Sequence, residues 1–201
     1  NEVVTFEGDD SRRATFAEVA DRVERLAVGL HALGVEAGDR VGTFMWNTQE
    51  HLEAYFAVPM QGAILHTLNI RLFPEQLAYI VNHAGDRVVI VDDVLAPLLA
   101  RVAAELGTVE RYVVVGGGDV SALEEAAPGS VEFVRYDDVL ASADPAAFDF
   151  PEVDEWAAAA MCYTSGTTGH PKGVVYSHRS TFMHTIGIQT GSGVPYTWND
   201  R

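Results

Sequence analysis

Between residues 15 and 33, Phe16, Val19, Val23, Leu26, Leu30 and Leu33 recur at steps of three or four. That period lines one face of a helix, and Gly34 stops it. Residues 40–46 read as a strand. Residues 48–61 read as a second helix, with Leu52, Tyr55, Phe56 and Met60 on one face. A short buried strand comes next at 63–68. Pro74 then opens a third helix at its first turn, running to His83. Further on come a strand at 87–91, a helix at 94–106, strands at 111–115 and 131–135, and a helical turn at 137–141. Strands at 157–163 and 173–176 flank a loop, and 180–190 is helical. Strand and helix alternate throughout, the pattern of an α/β fold with a mostly parallel sheet flanked by helices. Residues 144–155 hold two prolines and five acids and read as a surface connection.

Composition narrows the class. A chain of 201 residues can bury a sizeable core. Its net charge of −16 argues against nucleic acid and against anionic membrane surfaces as partners. No apolar stretch reaches the length of a transmembrane span, and the acidic first residues do not read as a signal peptide. The one cysteine, Cys162, fits a reducing compartment, so a cytoplasmic location is expected. It lies in an apolar run and reads as core packing, not as a nucleophile. Arginine in place of lysine, with much Ala, Val and Gly, points to a GC-rich bacterial genome.

Charge is distributed unevenly. Lys172 is the only lysine, against 12 arginines, and residues 156–199 contain no Asp or Glu although the chain carries 29 acids. Lys172 ends the run Tyr163-Thr164-Ser165-Gly166-Thr167-Thr168-Gly169-His170-Pro171-Lys172-Gly173. Gly166, Gly169 and Gly173 can take positive φ and let backbone amides approach an anion. Thr164, Ser165, Thr167 and Thr168 add hydroxyls able to donate to phosphate or to ligate Mg2+. Lys172 adds a mobile point charge, and Pro171 keeps a helix from running through. The pattern is that of a polyanion site, such as one for a nucleotide triphosphate. It is not a Walker A loop, because Gly173 comes directly after the lysine.

Other features are weaker. Gly116-Gly117-Gly118 comes after a strand, but Ser121 stands where a dinucleotide turn needs its third glycine, so it reads as a turn. Asp92-Asp93 and Asp137-Asp138 read as turn and cap residues. His51, His66 and His83 have no metal spacing and receive no role. His178 and His184 lie beside the loop and read as structural.

The run from Tyr163 to Gly173 resembles the phosphate-binding signature of the acyl-adenylate-forming superfamily, [YF]-[TS]-[ST]-G-[ST]-[TS]-G-x-P-K-G, at every position. Val174-Val175-Tyr176-Ser177-His178 resembles the segment that continues from the signature in that superfamily. His66-Thr67-Leu68-Asn69-Ile70-Arg71-Leu72-Phe73-Pro74-Glu75-Gln76-Leu77-Ala78-Tyr79-Ile80 is similar to the fatty acyl-CoA synthetase branch, which takes medium- or long-chain acids or related short thioether acids. Thr15-Phe16-Ala17-Glu18-Val19 matches an early helix start of the superfamily. The resemblance implies ATP, Mg2+ and coenzyme A as cofactor and co-substrates, and a carboxylic acid, a fatty acid by branch, as substrate. It implies catalytic roles for Lys172 and Thr164, with Thr164 helping to hold the metal. Ser165, Gly166, Thr167, Thr168, Gly169, Lys172 and Gly173 would line the phosphates. A homodimer is a further expectation.

Such enzymes are far longer than 201 residues. The segments that contact adenine and ribose, the hinge, the C-terminal domain and most of the acyl pocket have no counterpart here. Residues 1–201 are therefore expected to be the N-terminal portion of the large domain of such an enzyme, inactive alone. Two other readings stay open: an adenylation enzyme for aryl or amino acids, and a non-catalytic nucleotide-binding or dimerisation module.

Overall fold

The computed structural model describes residues 1–164 and 170–189. The chain starts with a hairpin that the hydrophobic pattern does not announce. Strand β1 (Glu2–Glu7) pairs antiparallel with β2 (Asp10–Thr15). Among the described side chains of this hairpin only Thr5 is buried, so no alternation marks it. Thr15 then caps helix α1 (Phe16–Ala32). Its hydroxyl accepts from the Glu18 amide at 3.2 Å, and the Glu18 carboxylate accepts from the Thr15 amide at 2.7 Å. This reciprocal box satisfies two otherwise orphaned donors.

Strand and helix then alternate through β3 (Arg40–Phe44), α2 (Gln49–Met60), β4 (Ile64–Thr67), α3 (Pro74–Ala84) and β5 (Asp86–Asp92). After these come α4 (Ala96–Leu99), β6 (Arg111–Val115), α5 (Ser121–Ala126), β7 (Glu132–Arg135) and α6 (Tyr136–Ser142). The chain continues through β8 (Ala158–Thr164), β9 (Lys172–Ser177) and α7 (His178–Gln189). The helix expected over 94–106 is instead the single turn α4 between 3-10 segments Asp93–Leu95 and Ala103–Glu105. Pro97 accounts for the late start, because its ring would clash with the carbonyl four residues back in a helix already under way at Asp93.

Seven strands form one sheet in the order β7-β6-β5-β3-β4-β8-β9. All neighbours are parallel except β8 and β9, which form an antiparallel hairpin. Helices cover both faces, so the central strands are apolar on both sides. Along β5, Val88 and Ile90 enter the core beneath α1, α2 and α6, while Val89 and Val91 enter the core beneath α3 and α4. Residues 144–155 run along the surface, where Phe148 packs against His31 and Phe150 with ring centres 5.0 Å apart in each case.

Helix α2 corrects an expectation. Tyr55, Phe56 and Met60 are exposed, as is Phe16 of α1, and the buried side of α2 carries His51, Glu53, Ala54, Ala57 and Val58. Two stripes of the same period run along this helix, and the close approach of α1 selects the smaller residues. Glu53 is thereby carried inside. Its carboxylate accepts from Arg22 Nε at 2.6 Å, Gln49 Nε2 at 2.7 Å and the Tyr136 hydroxyl at 2.6 Å. Three donors offset the cost of a buried charge.

The turn at Gly116-Gly117-Gly118 is as expected. Gly116 takes φ 93°, and the Gly118 amide donates to the Asp93 carboxylate at 2.6 Å. Asp92 holds the N-cap position of the 3-10 turn Asp93–Leu95, but its side chain makes no cap bond and instead accepts from the Trp46 amide at 2.6 Å. Asp137 and Asp138 lie in the first turn of α6, two and three positions inside the cap position held by Arg135.

Candidate nucleotide-binding site

The hairpin of β8 and β9 carries the glycine-rich run. Because β8 is parallel to β4, the hairpin turns at the carboxyl end of the parallel strands, where open α/β folds hold ligands. Thr164 and Lys172 are paired residues at its mouth, both exposed. Directly opposed residues of an antiparallel pair share a face, with Cβ atoms about 5 Å apart. The hydroxyl and the ammonium are thus presented together. Ser165, Gly166, Thr167, Thr168 and Gly169 lie outside the described residues.

Among the described residues Lys172 makes no ion pair. Arg179, the next cation along the chain, is engaged by Glu155 at 2.7 Å and lies over the Trp156 ring at 4.9 Å. His184 is exposed on α7. His178 is half-buried, and its Nε2 has no partner among the described residues. Neither histidine contacts Lys172. Cys162 is half-buried instead of forming core, with its Sγ 3.8 Å from the Tyr176 hydroxyl.

Gly173 differs from its sequence reading. It is not among the glycines of positive φ; it sits in strand β9, opposite Tyr163. A Cβ at this position would lie 3.1 Å from Cζ of Tyr163. The missing side chain makes room for that ring.

Tyr163 connects the hairpin to a polar cluster that sequence reasoning missed. Its hydroxyl is hydrogen-bonded to Nδ1 of His83 at 2.6 Å, and its ring centre lies 5.1 Å from that of His66. Burial, with the nearby Asp86 and Tyr79, pushes the Tyr163 phenol up, so the hydroxyl keeps its proton. His66 is completely buried, and its Nδ1 meets the Asp86 carboxylate at 2.8 Å. Asp86 lies on β5 and His66 on β4, with β3 between them. Gly42 on β3 lets them meet, since a Cβ there would stand 3.1 Å from Asp86 Oδ2. Tyr79 of α3 stacks on His83 (5.2 Å) and on His170 (4.5 Å). One signal was available in sequence: Tyr79 and His83 are four apart and share a helix face. Nothing local pairs them with residues 80 or more positions away.

Among the described residues no group of three or more His, Cys, Asp or Glu could hold a metal ion, and no helix is long and apolar enough to cross a membrane.

The comparisons with known proteins agree with this architecture. The family model described as "AMP-binding enzyme" matches residues 1–201. The chain is 43% identical over 200 residues to a 3-methylmercaptopropionyl-CoA ligase of Ruegeria lacuscaerulensis, covering 99% of this chain and 36% of that protein. It is 46% identical over 189 residues to a long-chain-fatty-acid–CoA ligase of Thermus thermophilus, covering 94% and 32%. Among solved structures, a putative long-chain-fatty-acid CoA ligase from Rhodopseudomonas palustris matches with a TM-score of 0.73 at 28% identity, covering 89% of this chain and 41% of the other. An anthranilate CoA ligase in complex with anthranoyl-AMP matches with a TM-score of 0.74 at 26% identity, covering 88% and 32%. The chain spans about a third of the length of the curated relatives it matches. On the fold, the hairpin signature and these matches together, the chain belongs to the AMP-binding enzyme family.

Proposed function

We propose that the protein carrying this chain is an ATP-dependent acid–thiol ligase of the fatty-acid branch, and that residues 1–201 are the part of its large domain that binds the phosphates. The observation that carries the reading is the pairing of Thr164 with Lys172 at the mouth of a hairpin ringed by acid-free sequence. In this reading the carboxylate of the acid attacks the α-phosphorus of ATP. The bond from that phosphorus to the bridging oxygen breaks, and pyrophosphate leaves. The thiolate of coenzyme A then attacks the acyl carbon, and AMP leaves.

Lys172 neutralises charge that builds on the departing pyrophosphate, a preorganised electrostatic contribution. Ser165, Gly166, Thr167, Thr168 and Gly169 lie along the β- and γ-phosphates. The donor set suits a polyanion, since it holds hydroxyls, backbone amides and one ammonium, with no carboxylate to repel the ligand. Thr164 would help to hold Mg2+, an ion that prefers oxygen ligands. When bound, the ion would offset phosphate charge.

Substitution of Lys172 by alanine tests the assignment. Loss of one charge-assisted contact to the leaving group is worth about 2.7 kcal/mol or more, a hundredfold in rate. Lys172→Ala is expected to lower acyl-CoA formation by at least that factor with the melting temperature unchanged. Activity equal to wild type would overturn the reading. A second reading, activation of an aryl acid, draws support from the likeness to the anthranilate CoA ligase. The acids accepted by the whole protein separate the two.

A further inference from the structure

We propose that Tyr79 and His83 of α3 are positioning residues for the phosphate-binding hairpin, clamping the strand that enters it and the residue that leads out to Lys172. The proposal rests on the phosphate-binding reading above and adds residues that the signature does not contain.

The entering stem is held through Tyr163. His83 bonds its hydroxyl at 2.6 Å, and the ring centres stand 5.8 Å apart, edge to face. The same ring lies over Gly173 on one side and near buried His66 on another, so neither the ring nor the hydroxyl is free to swing. The exit is held through His170, whose ring stacks on Tyr79 at 4.5 Å with planes 22° apart. Pro171 and then Lys172 come directly after it. Tyr79 in turn stacks on His83 at 5.2 Å, so one helix face grips both ends of the segment. The helix is a rigid anchor, since Leu77, Ala78, Ile80 and Val81 are buried in the core beneath it.

A polar hairpin that must wrap a polyanion loses conformational freedom on binding, and any part fixed beforehand reduces that loss. The clamp supplies such fixing at both ends. It acts on binding in the ground state and the transition state alike, so its removal should raise KM for ATP and leave kcat nearly unchanged. His83 is exposed, so its truncation should cost the fold little.

The test uses the whole protein that carries this chain. Binding of MgATP is measured by calorimetry, alongside kcat, KM and melting temperature, for wild type, His83→Ala, His83→Asn, Tyr79→Ala and Lys172→Ala. Asparagine places an amide where Nδ1 stands. One lost hydrogen bond predicts a weakening of about threefold to tenfold in His83→Ala and recovery in His83→Asn, with melting temperature unchanged. Tyr79→Ala is expected to weaken binding by a similar factor. If Lys172→Ala weakens binding and neither α3 variant does, the clamp is refuted and the phosphate site stands. If Lys172→Ala has no effect either, both proposals fall. A weakening that asparagine does not restore, and that accompanies a fall in melting temperature, makes the cluster packing alone and overturns the clamp.

Discussion

Removing the Asp86 carboxylate probes how the sheet supports the hairpin. Asp86 and His66 have no solvent-exposed side-chain surface, and Nδ1 of His66 lies 2.9 and 2.8 Å from the two carboxylate oxygens. Nε2 of His66 has no partner among the described residues, so the Asp86 bond is the imidazole's one polar contact there. Burial pushes the Asp86 carboxyl up, and the His66 bond and Arg40 oppose it. Asp86→Ala would leave a buried imidazole with neither nitrogen satisfied. Breaking a buried pair by removing one member costs about 3–5 kcal/mol. At about 2–4 °C per kcal/mol for a chain of this size, the melting temperature should fall by roughly 6–20 °C. Asp86→Asn keeps a hydrogen-bonding group opposite Nδ1 and should lose less, about 1–3 kcal/mol. The double variant His66→Leu with Asp86→Ala should cost less than the sum of the two single changes, because no orphan remains. Urea unfolding monitored by both tryptophan fluorescence and circular dichroism gives these values, and coincident curves license two-state treatment. A loss below about 1 kcal/mol for Asp86→Ala, with an unchanged denaturant slope, would mean that the buried imidazole does not depend on this carboxylate.

Three further outcomes are expected. Glu53→Ala leaves Arg22 with only its longer 3.8 Å pair to Glu50 and removes the acceptor of Gln49 and Tyr136, so it should destabilise by about 3–5 kcal/mol in the same urea assay. Burial, with Glu50 and Asp93 adding to it against the Trp46 amide, pushes the Asp92 carboxyl up to about 6. The folded form therefore holds an extra proton between about pH 4 and 6, and this contribution to stability is lost as pH rises through about 6. Asp92→Asn should flatten that slope in melting temperature, and an identical slope in both proteins would count against the burial argument. Gly173→Ala should press its methyl on Tyr163 Cζ, 3.1 Å away, displace the ring and weaken MgATP binding without unfolding the chain. Unaltered affinity would mean the ring's place is immaterial.

Much of the sheet was legible because its strands are buried on both sides. The run Val88-Val89-Ile90-Val91 has no other plausible state between a glycine and an aspartate pair. The run Thr15-Phe16-Ala17-Glu18-Val19 and Pro74 at the first turn marked helix starts. Legibility failed where apolar bulk and burial part company. Helix α2 offers an aromatic stripe and a small-residue stripe of one period, and only the approach of α1 decides between them. The β1–β2 hairpin hides because five of its strand positions carry charge and almost none face a core. At the site, Thr164 and Lys172 were readable from composition and spacing, and the register brings them opposite each other. Gly173 does not take the positive φ that a glycine-rich run suggests, and its lack of a Cβ accommodates the Tyr163 ring, a contact no local pattern announces. His66 meets Asp86 from 20 residues away and His83 meets Tyr163 from 80, which no local pattern encodes.

If the hairpin holds the phosphates of ATP while a carboxylic acid is activated, the whole protein carrying this chain must catalyse acid-dependent pyrophosphate–ATP exchange. The assay runs through straight-chain acids from short to long, 3-(methylthio)propionate, benzoate and amino acids. Exchange is expected to depend on an aliphatic acid and to be abolished in Lys172→Ala. Exchange only with an aryl or amino acid would contradict the choice of branch, and no exchange with any acid would contradict the enzymatic assignment itself.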